Sequence, residues 1–275
     1  MPDYAKGADV SKWQRFSATS DGIDFQKMHL APLDFVFIKA SQGLRQDRDF
    51  FLNRERAKQA GIPRGFYHFA DYKINPETQA SFFWDLVKDD PGELPLVADF
   101  ERNPEFTPNR AAAEQWLRGF VTSLEALSGK TPMIYTGAFF WKDYSSQDSW
   151  WNRFPLWIAS YTTQEYMESN VEKLTPWVKW TFWQYTDKGS GEKYGVESKQ
   201  IDLNYFHGTK EDLLARYGAV PKDEDDIHEF VTDLQQRFDS LIQSLDDSLN
   251  TLNTLSNEYD KLTKEMLDIL NQHGE

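Results

Sequence analysis

The chain contains no cysteine. Disulfides, thiolate nucleophiles and cysteine-based metal sites are therefore excluded, while either redox compartment stays open. No run approaches the roughly 18 apolar residues that a membrane-spanning helix needs. The opening segment MPDYAKGADVSKWQ lacks an apolar h-region, so no secretory signal is expected. No G-x-S-x-G element occurs, which argues against a serine hydrolase. The five histidines, His29, His68, His207, His228 and His273, show no ligand-like spacing, and neither a metal nor an organic cofactor is expected. Positive charge is also scarce, with 30 basic against 44 acidic residues and a net charge of −14. Such a chain repels phosphate backbones, so nucleic acid is not an expected partner.

The acidity is unevenly placed. From residue 219 onward there are 14 acidic and 4 basic residues, against 30 and 26 before it. The break follows Tyr217-Gly218-Ala219-Val220-Pro221 and opens on the cluster Lys222-Asp223-Glu224-Asp225-Asp226. Beyond Pro221 there is no further Pro, and no Gly before Gly274. Ile227, Val231, Leu234, Phe238, Leu241, Leu245, Ser248, Leu252, Leu255, Tyr259, Leu262, Met266 and Ile269 recur at 4-3 spacing, and only Ser248 is polar. This is a coiled-coil seam. A helix of such length would span about 65 Å at about 1.5 Å per residue, more than a small domain's diameter. Three units follow: a domain over 1–218, an acidic linker over 219–226 and a coiled-coil helix over 227–272. The seam favours a homo-oligomer or a partner helix through 227–272. A long amphipathic helix lying on its own domain is the alternative.

The first 218 residues alternate short apolar strands with helical stretches. Strands are expected at 7–10, 35–40, 65–69, 94–100, 133–136, 156–159, 181–185 and 201–206. Helices are expected over about 49–60, 76–88 and 108–127, the second opening on Pro76 and the third stopping at Gly129. Strands apolar on both faces and separated by crossovers indicate a parallel sheet covered by helices. Eight units in so short a length point to an α/β fold, an irregular TIM-like βα barrel followed by the long C-terminal helix. An open doubly wound sheet is the structural alternative, but no Gly-rich phosphate loop follows the first strand.

Leu94-Pro95-Leu96-Val97-Ala98-Asp99-Phe100-Glu101 is an apolar strand ending in two carboxylates at i, i+2, which share a face. Along a strand they emerge about 6.7 Å apart, at about 3.3 Å per residue. Two acids that close hold one proton between them near neutral pH, and glycoside cleavage needs such a pair. By itself the pair equally fits a helix cap or a cation site. The ten Trp divide between core packing and sugar-stacking surfaces.

Taken with Gly7-Ala8-Asp9-Val10-Ser11, Phe37-Ile38-Lys39-Ala40-Ser41, Gly65-Phe66-Tyr67-His68-Phe69, Ile134-Tyr135-Thr136-Gly137, Leu156-Trp157-Ile158-Ala159-Ser160-Tyr161, Trp183-Gln184-Tyr185 and Ile201-Asp202-Leu203-Asn204-Tyr205-Phe206, the pair has a family context. The chain resembles the glycoside hydrolase family 25 lysozymes, to which many phage endolysins and bacterial or fungal muramidases belong. The resemblance runs in order through nearly all of the first 207 residues. It implies an N-acetylmuramidase that cuts the β-1,4 bond between N-acetylmuramic acid and N-acetylglucosamine in peptidoglycan glycan strands. It implies Glu101 as general acid, Asp99 as partner carboxylate and Asp9 and Asp202 as further acids. It also implies that the substrate's 2-acetamido group serves as nucleophile while an Asp orients it. Tyr67, Tyr135, Trp157 and Gln184 match cleft-lining positions, and Lys39 stands where it could pair with the acids. Asp202 falls at the start of its strand, an awkward place for a residue at a barrel mouth. Gln42-Gly43 departs from the Glu-Gly that the family often carries. The expected place of action is the bacterial cell wall, after synthesis in the cytoplasm and release by lysis or another apparatus. The competing readings are an inactive wall-binding or structural module working through its coiled coil, and an enzyme of the same kind acting on chitin.

Overall fold

A computed structural model describes residues 3–17, 19–31, 33–170, 174–218 and 224–272. The chain divides into two compact units, Met1–Ala219 and Val220–Glu275.

The first unit winds through β1 (Lys6–Val10), α1 (Phe25–Leu30), β2 (Phe35–Gln42), β3 (Arg45–Gln46), α2 (Phe50–Gln59), β4 (Arg64–Phe69), α3 (Pro76–Val87), β5 (Val97–Asp99) and α4 (Arg110–Ser128). It continues through β6 (Met133–Gly137), α5 (Ala138–Tyr144), β7 (Leu156–Ala159), α6 (Gln164–Ser169), β8 (Phe182–Ser190), β9 (Gln200–Phe206) and α7 (Lys210–Tyr217). The strand order is β1-β9-β8-β7-β6-β5-β4-β2, and a β1–β2 pairing closes the ring. A closed barrel of eight strands results, with β3 folded back on β2 as a ninth, marginal strand. Closure excludes the open doubly wound sheet.

The barrel is not wholly parallel, in contrast to the sequence expectation. Strand β9 runs antiparallel to both β8 and β1, while the remaining neighbours in the ring are parallel. Antiparallel neighbours need no helical crossover, and only a short 3-10 turn, Glu192–Tyr194, lies between β8 and β9. Strand β5 is also shorter than expected. Pro95 has no N–H to give to a ladder, and regular pairing starts at Val97.

Local chemistry explains the helix limits. Asn75 accepts from Thr78 N with Pro76 at the first helical position of α3, and Asn109 accepts from Ala112 N at the start of α4. Gly129 ends α4 in the left-handed conformation at φ 66°.

Two apolar clusters result. One lies between barrel and helices and includes Phe83, Trp116, Leu117 and Phe120. The other fills the barrel with Phe35, Phe37, Val97, Met133, Tyr135, Trp157, Phe182 and Phe206. Glycines make room for those rings: a Cβ on Gly7 or Gly65 would stand 2.3 Å from the ring of Phe35 or Phe37. The lower barrel is thus plugged, and only its mouth is open to chemistry.

The second unit contains α8 (Glu224–Gln272), 49 residues and about 73 Å long. Of the expected acidic linker, residues 219–223 lie outside the described residues, while 224–226 form the first turn of α8. Phe238, Ile242, Leu245, Leu249, Leu252, Leu255, Tyr259, Leu262 and Met266 are all exposed in the single chain. The side chains of the seam positions Ile227, Val231, Leu234, Leu241 and Ile269 lie outside those described. Among the described residues no helix is long and apolar enough to cross a membrane.

Candidate active site

Strand alternation carries the site up from the plug. Gly7, Phe37, Gly65, Val97 and Met133 each point inward on their strands, and two residues further along come Asp9, Lys39, Tyr67, Asp99 and Tyr135. These side chains line a cavity of about 350 Å³ together with Glu101, Trp157, Gln184 and Asp202. All nine residues singled out from the sequence therefore meet in one place, at the C-terminal ends of the parallel strands. The reversal of β9 explains Asp202: the start of an antiparallel strand lies at the same end as its neighbours' C-termini. Asp202 pairs directly with Asp9 across the β1–β9 ladder. Glu101 stands two residues past the end of β5, held from behind by the Tyr72 hydroxyl, which donates to its carbonyl oxygen at 2.7 Å.

The four acids fall into two sets. Asp9 Oδ2 accepts from Gln184 Nε2 at 2.8 Å and from Asn204 Nδ2 at 2.9 Å. Burial raises the Asp9 carboxyl, and these donors oppose the rise. Asp202 is pushed up to about 8 by burial and by the facing Asp9 charge. Near neutral pH the Asp9–Asp202 pair therefore keeps one proton, carried mainly by Asp202. In the second set, burial and the neighbouring Glu101 raise Asp99 well above the usual carboxylate range, while Lys39 opposes. Burial lifts Glu101 from 4.5 to about 7, with Lys39 pulling down and Asp9 pushing up. Asp99 Oδ1 is buried and accepts no hydrogen bond. A buried acceptor left open costs about 1–3 kcal/mol unless a ligand's donor fills it.

Lys39 is the sole cation along the cavity wall among the described residues. Its Nζ donates to Gln42 Oε1 at 3.2 Å and lies 4.5 Å from the centre of the Phe69 ring. Burial lowers the Lys39 ammonium, and the charges of Asp99, Asp47 and Glu101 oppose that fall. The Gln42 amide thus sits where a Glu would compete with those acids for the lysine.

Tyr135 and Trp157 belong both to the core inside the barrel and to the cavity wall. Trp157 is 2% exposed, stacked on Phe37 at 4.3 Å, with Nε1 donating to Asn204 Oδ1 at 2.8 Å. It is a floor and a hydrogen-bond anchor rather than an open stacking face. Tyr135 donates to Gln184 Oε1 at 2.9 Å and Tyr161 donates to the same oxygen at 3.1 Å, which orients the amide toward Asp9.

Several residues on or behind the wall escaped the sequence reading. Asn204 is one, although its i, i+2 spacing from Asp202 was visible. Trp13 is another, 71% exposed on the rim. Ser11 and Gln14 form a capping box on the Lys12–Gln14 turn, a pattern legible as S-x-x-Q, and Lys12 N donates to Asp47 Oδ2 at 3.3 Å. His68 has a structural place behind the wall. It bonds Ser41 Oγ and Gln79 Oε1, and burial lowers its imidazole to about 4, so it is neutral.

A closed barrel with carboxyls gathered at its mouth, one of them holding its proton near pH 7, defines a glycoside hydrolase type of site. The comparisons carry this further. The family model "Glycosyl hydrolases family 25" matches residues 8–193, and the chain belongs to that family. Lysozyme M1 of Streptomyces globisporus is 31% identical over 226 residues, covering 76% of this chain and 70% of that protein. The uncharacterized protein YegX of Escherichia coli K12 is 30% identical over 217 residues, covering 76% and 72%. Among solved structures, the bacterial lysozyme from Streptomyces coelicolor superposes with a TM-score of 0.65 at 29% identity, covering 78% of this chain and 98% of its own.

Proposed function

We propose that the chain is an N-acetylmuramidase, hydrolysing the β-1,4 bond between N-acetylmuramic acid and N-acetylglucosamine in peptidoglycan. The observation that carries this reading is Glu101, an acid lifted to about 7 beside Asp99 in a cavity whose wall also carries Lys39. The names of the relatives, lysozymes and muramidases, support the substrate.

Glu101 gives its proton to the glycosidic oxygen as the bond to C1 breaks. Asp99 takes the acetamido N–H of the muramic sugar on its open Oδ1. A donor there favours the ionised form of Asp99, so binding drives the shared proton onto Glu101, where the leaving oxygen needs it. The polarised acetamido oxygen then closes on C1, and water, activated by the Glu101 carboxylate, opens the resulting ring. Asp9 and Asp202, sharing a proton, add a partial negative charge toward the oxocarbenium-like centre. Tyr67, Tyr135, Trp157 and Gln184 shape the pocket, and Lys39 keeps the Asp99–Glu101 pair from holding two protons. Mass spectrometry of digested peptidoglycan tests the reading, since a muramic acid at the new reducing end is expected. N-acetylglucosamine there would reject it, and soluble products from chitin alone would move the substrate.

The helix over 227–272 serves self-association through its seam. Nine apolar side chains left exposed over α8 support this. Oligomers would carry several catalytic units to one wall, raising avidity for an insoluble substrate.

A further inference from the structure

A second hollow of about 860 Å³ opens beside the acid-lined cavity and shares Glu101 and Tyr135 with it. Asp9, Asp99 and Asp202 line the first cavity but not the second. The wall of the second carries five aromatic residues, Tyr135, Phe139, Phe140, Tyr161 and Tyr166. Phe139, on the first turn of α5 and four residues beyond Tyr135, is 87% exposed, and Tyr161 is 58% exposed. Exposed rings of this kind offer flat apolar faces to the C–H faces of pyranoses.

The division of acids gives the groove a direction. Positive charge develops at C1 of the sugar being cut, so that sugar belongs among Asp9, Asp99 and Asp202. The departing oxygen must reach Glu101, which stands at the junction of the two hollows. We propose that the Phe139–Tyr161 hollow binds the departing half of the glycan, N-acetylglucosamine against Glu101 and the next muramic acid on the Phe139 ring. This assignment rests on the muramidase reading for the identity of the sugars. The direction of the chain rests only on which hollow holds the carboxylates.

The test uses the full chain and glycan oligomers of defined length. Lengthening the departing side beyond one sugar is expected to raise kcat/KM in the wild type. Phe139→Ala and Phe139→Leu should each lose that gain, roughly three- to tenfold and mainly in KM, whereas Phe139→Trp keeps it. Equal unfolding midpoints for the three variants exclude a folding defect. If Phe139→Leu matches wild type, or if the dependence follows the non-departing side, the proposal falls. The sugar at the new reducing end is read in the same digests. N-acetylglucosamine there would overturn the muramidase reading, while the Phe139 dependence would still decide the groove.

Discussion

Replacing Glu101 by Gln should make the barrel more stable at alkaline pH while leaving it unchanged in acid. Burial and Asp9 raise this carboxyl from 4.5 to about 7. Between those values the folded chain holds a proton that the unfolded chain releases, so stability falls as pH rises through that window. At about 1.4 kcal/mol per unit the ionised form is disfavoured in the fold by roughly 3 kcal/mol above pH 7. Proton sharing with Asp99 and solvent at the mouth reduce this to about 2 kcal/mol. Glutamine keeps the shape and never ionises. Its gain should therefore be near zero at pH 4 and about 2 kcal/mol at pH 8, or about 4–8 °C in Tm for a domain of this size. All ten Trp precede residue 219, so tryptophan fluorescence follows the barrel alone during thermal unfolding. A variant that tracks wild type at every pH, or is weaker at pH 8, would refute the placement of Glu101 in a desolvated site.

Asp99→Asn should lower kcat on peptidoglycan about 100-fold or more while changing KM little, because the amide cannot polarise the acetamido N–H; steady-state kinetics on soluble glycan fragments check this. Gly65→Ala places a methyl group 2.3 Å from the Phe37 ring and should cost about 1–3 kcal/mol or more, read from denaturant midpoints. Removing residues 224–272 should convert a concentration-dependent oligomer to a monomer in light scattering. A monomer with and without that segment would dismiss the seam.

The elements most legible in the sequence were those whose local chemistry is self-contained. Pro76 and Gly129 marked helix limits through backbone geometry, and the pairing of Asp99 with Glu101 followed from strand period, whereas Asp9 and Tyr67 entered only through the family resemblance. Strand direction was illegible, because an apolar run reads the same whichever way it pairs. The reversal of β9 therefore stayed hidden, and Asp202 looked misplaced until its antiparallel partner Asp9 was in view. Pro95 could have warned that β5 starts late, at Val97. Trp157 shows a different limit. Its ring lies between Phe37 and Tyr135 in the plug, and only the assembled barrel distinguishes a floor from an open sugar platform. Asn204 was equally hidden, since its value lies in joining Trp157 to Asp9 across three strands.

The central claim is that Glu101 is the proton donor of a muramidase. Reducing-end release from purified peptidoglycan, measured side by side for wild type and Glu101→Gln between pH 4 and 8, tests it most directly. Wild type should be active with a decline as pH passes about 7, and the variant should be roughly 10²–10⁴-fold slower throughout. A Glu101→Gln enzyme that releases muramic reducing ends at near wild-type rate would contradict the account.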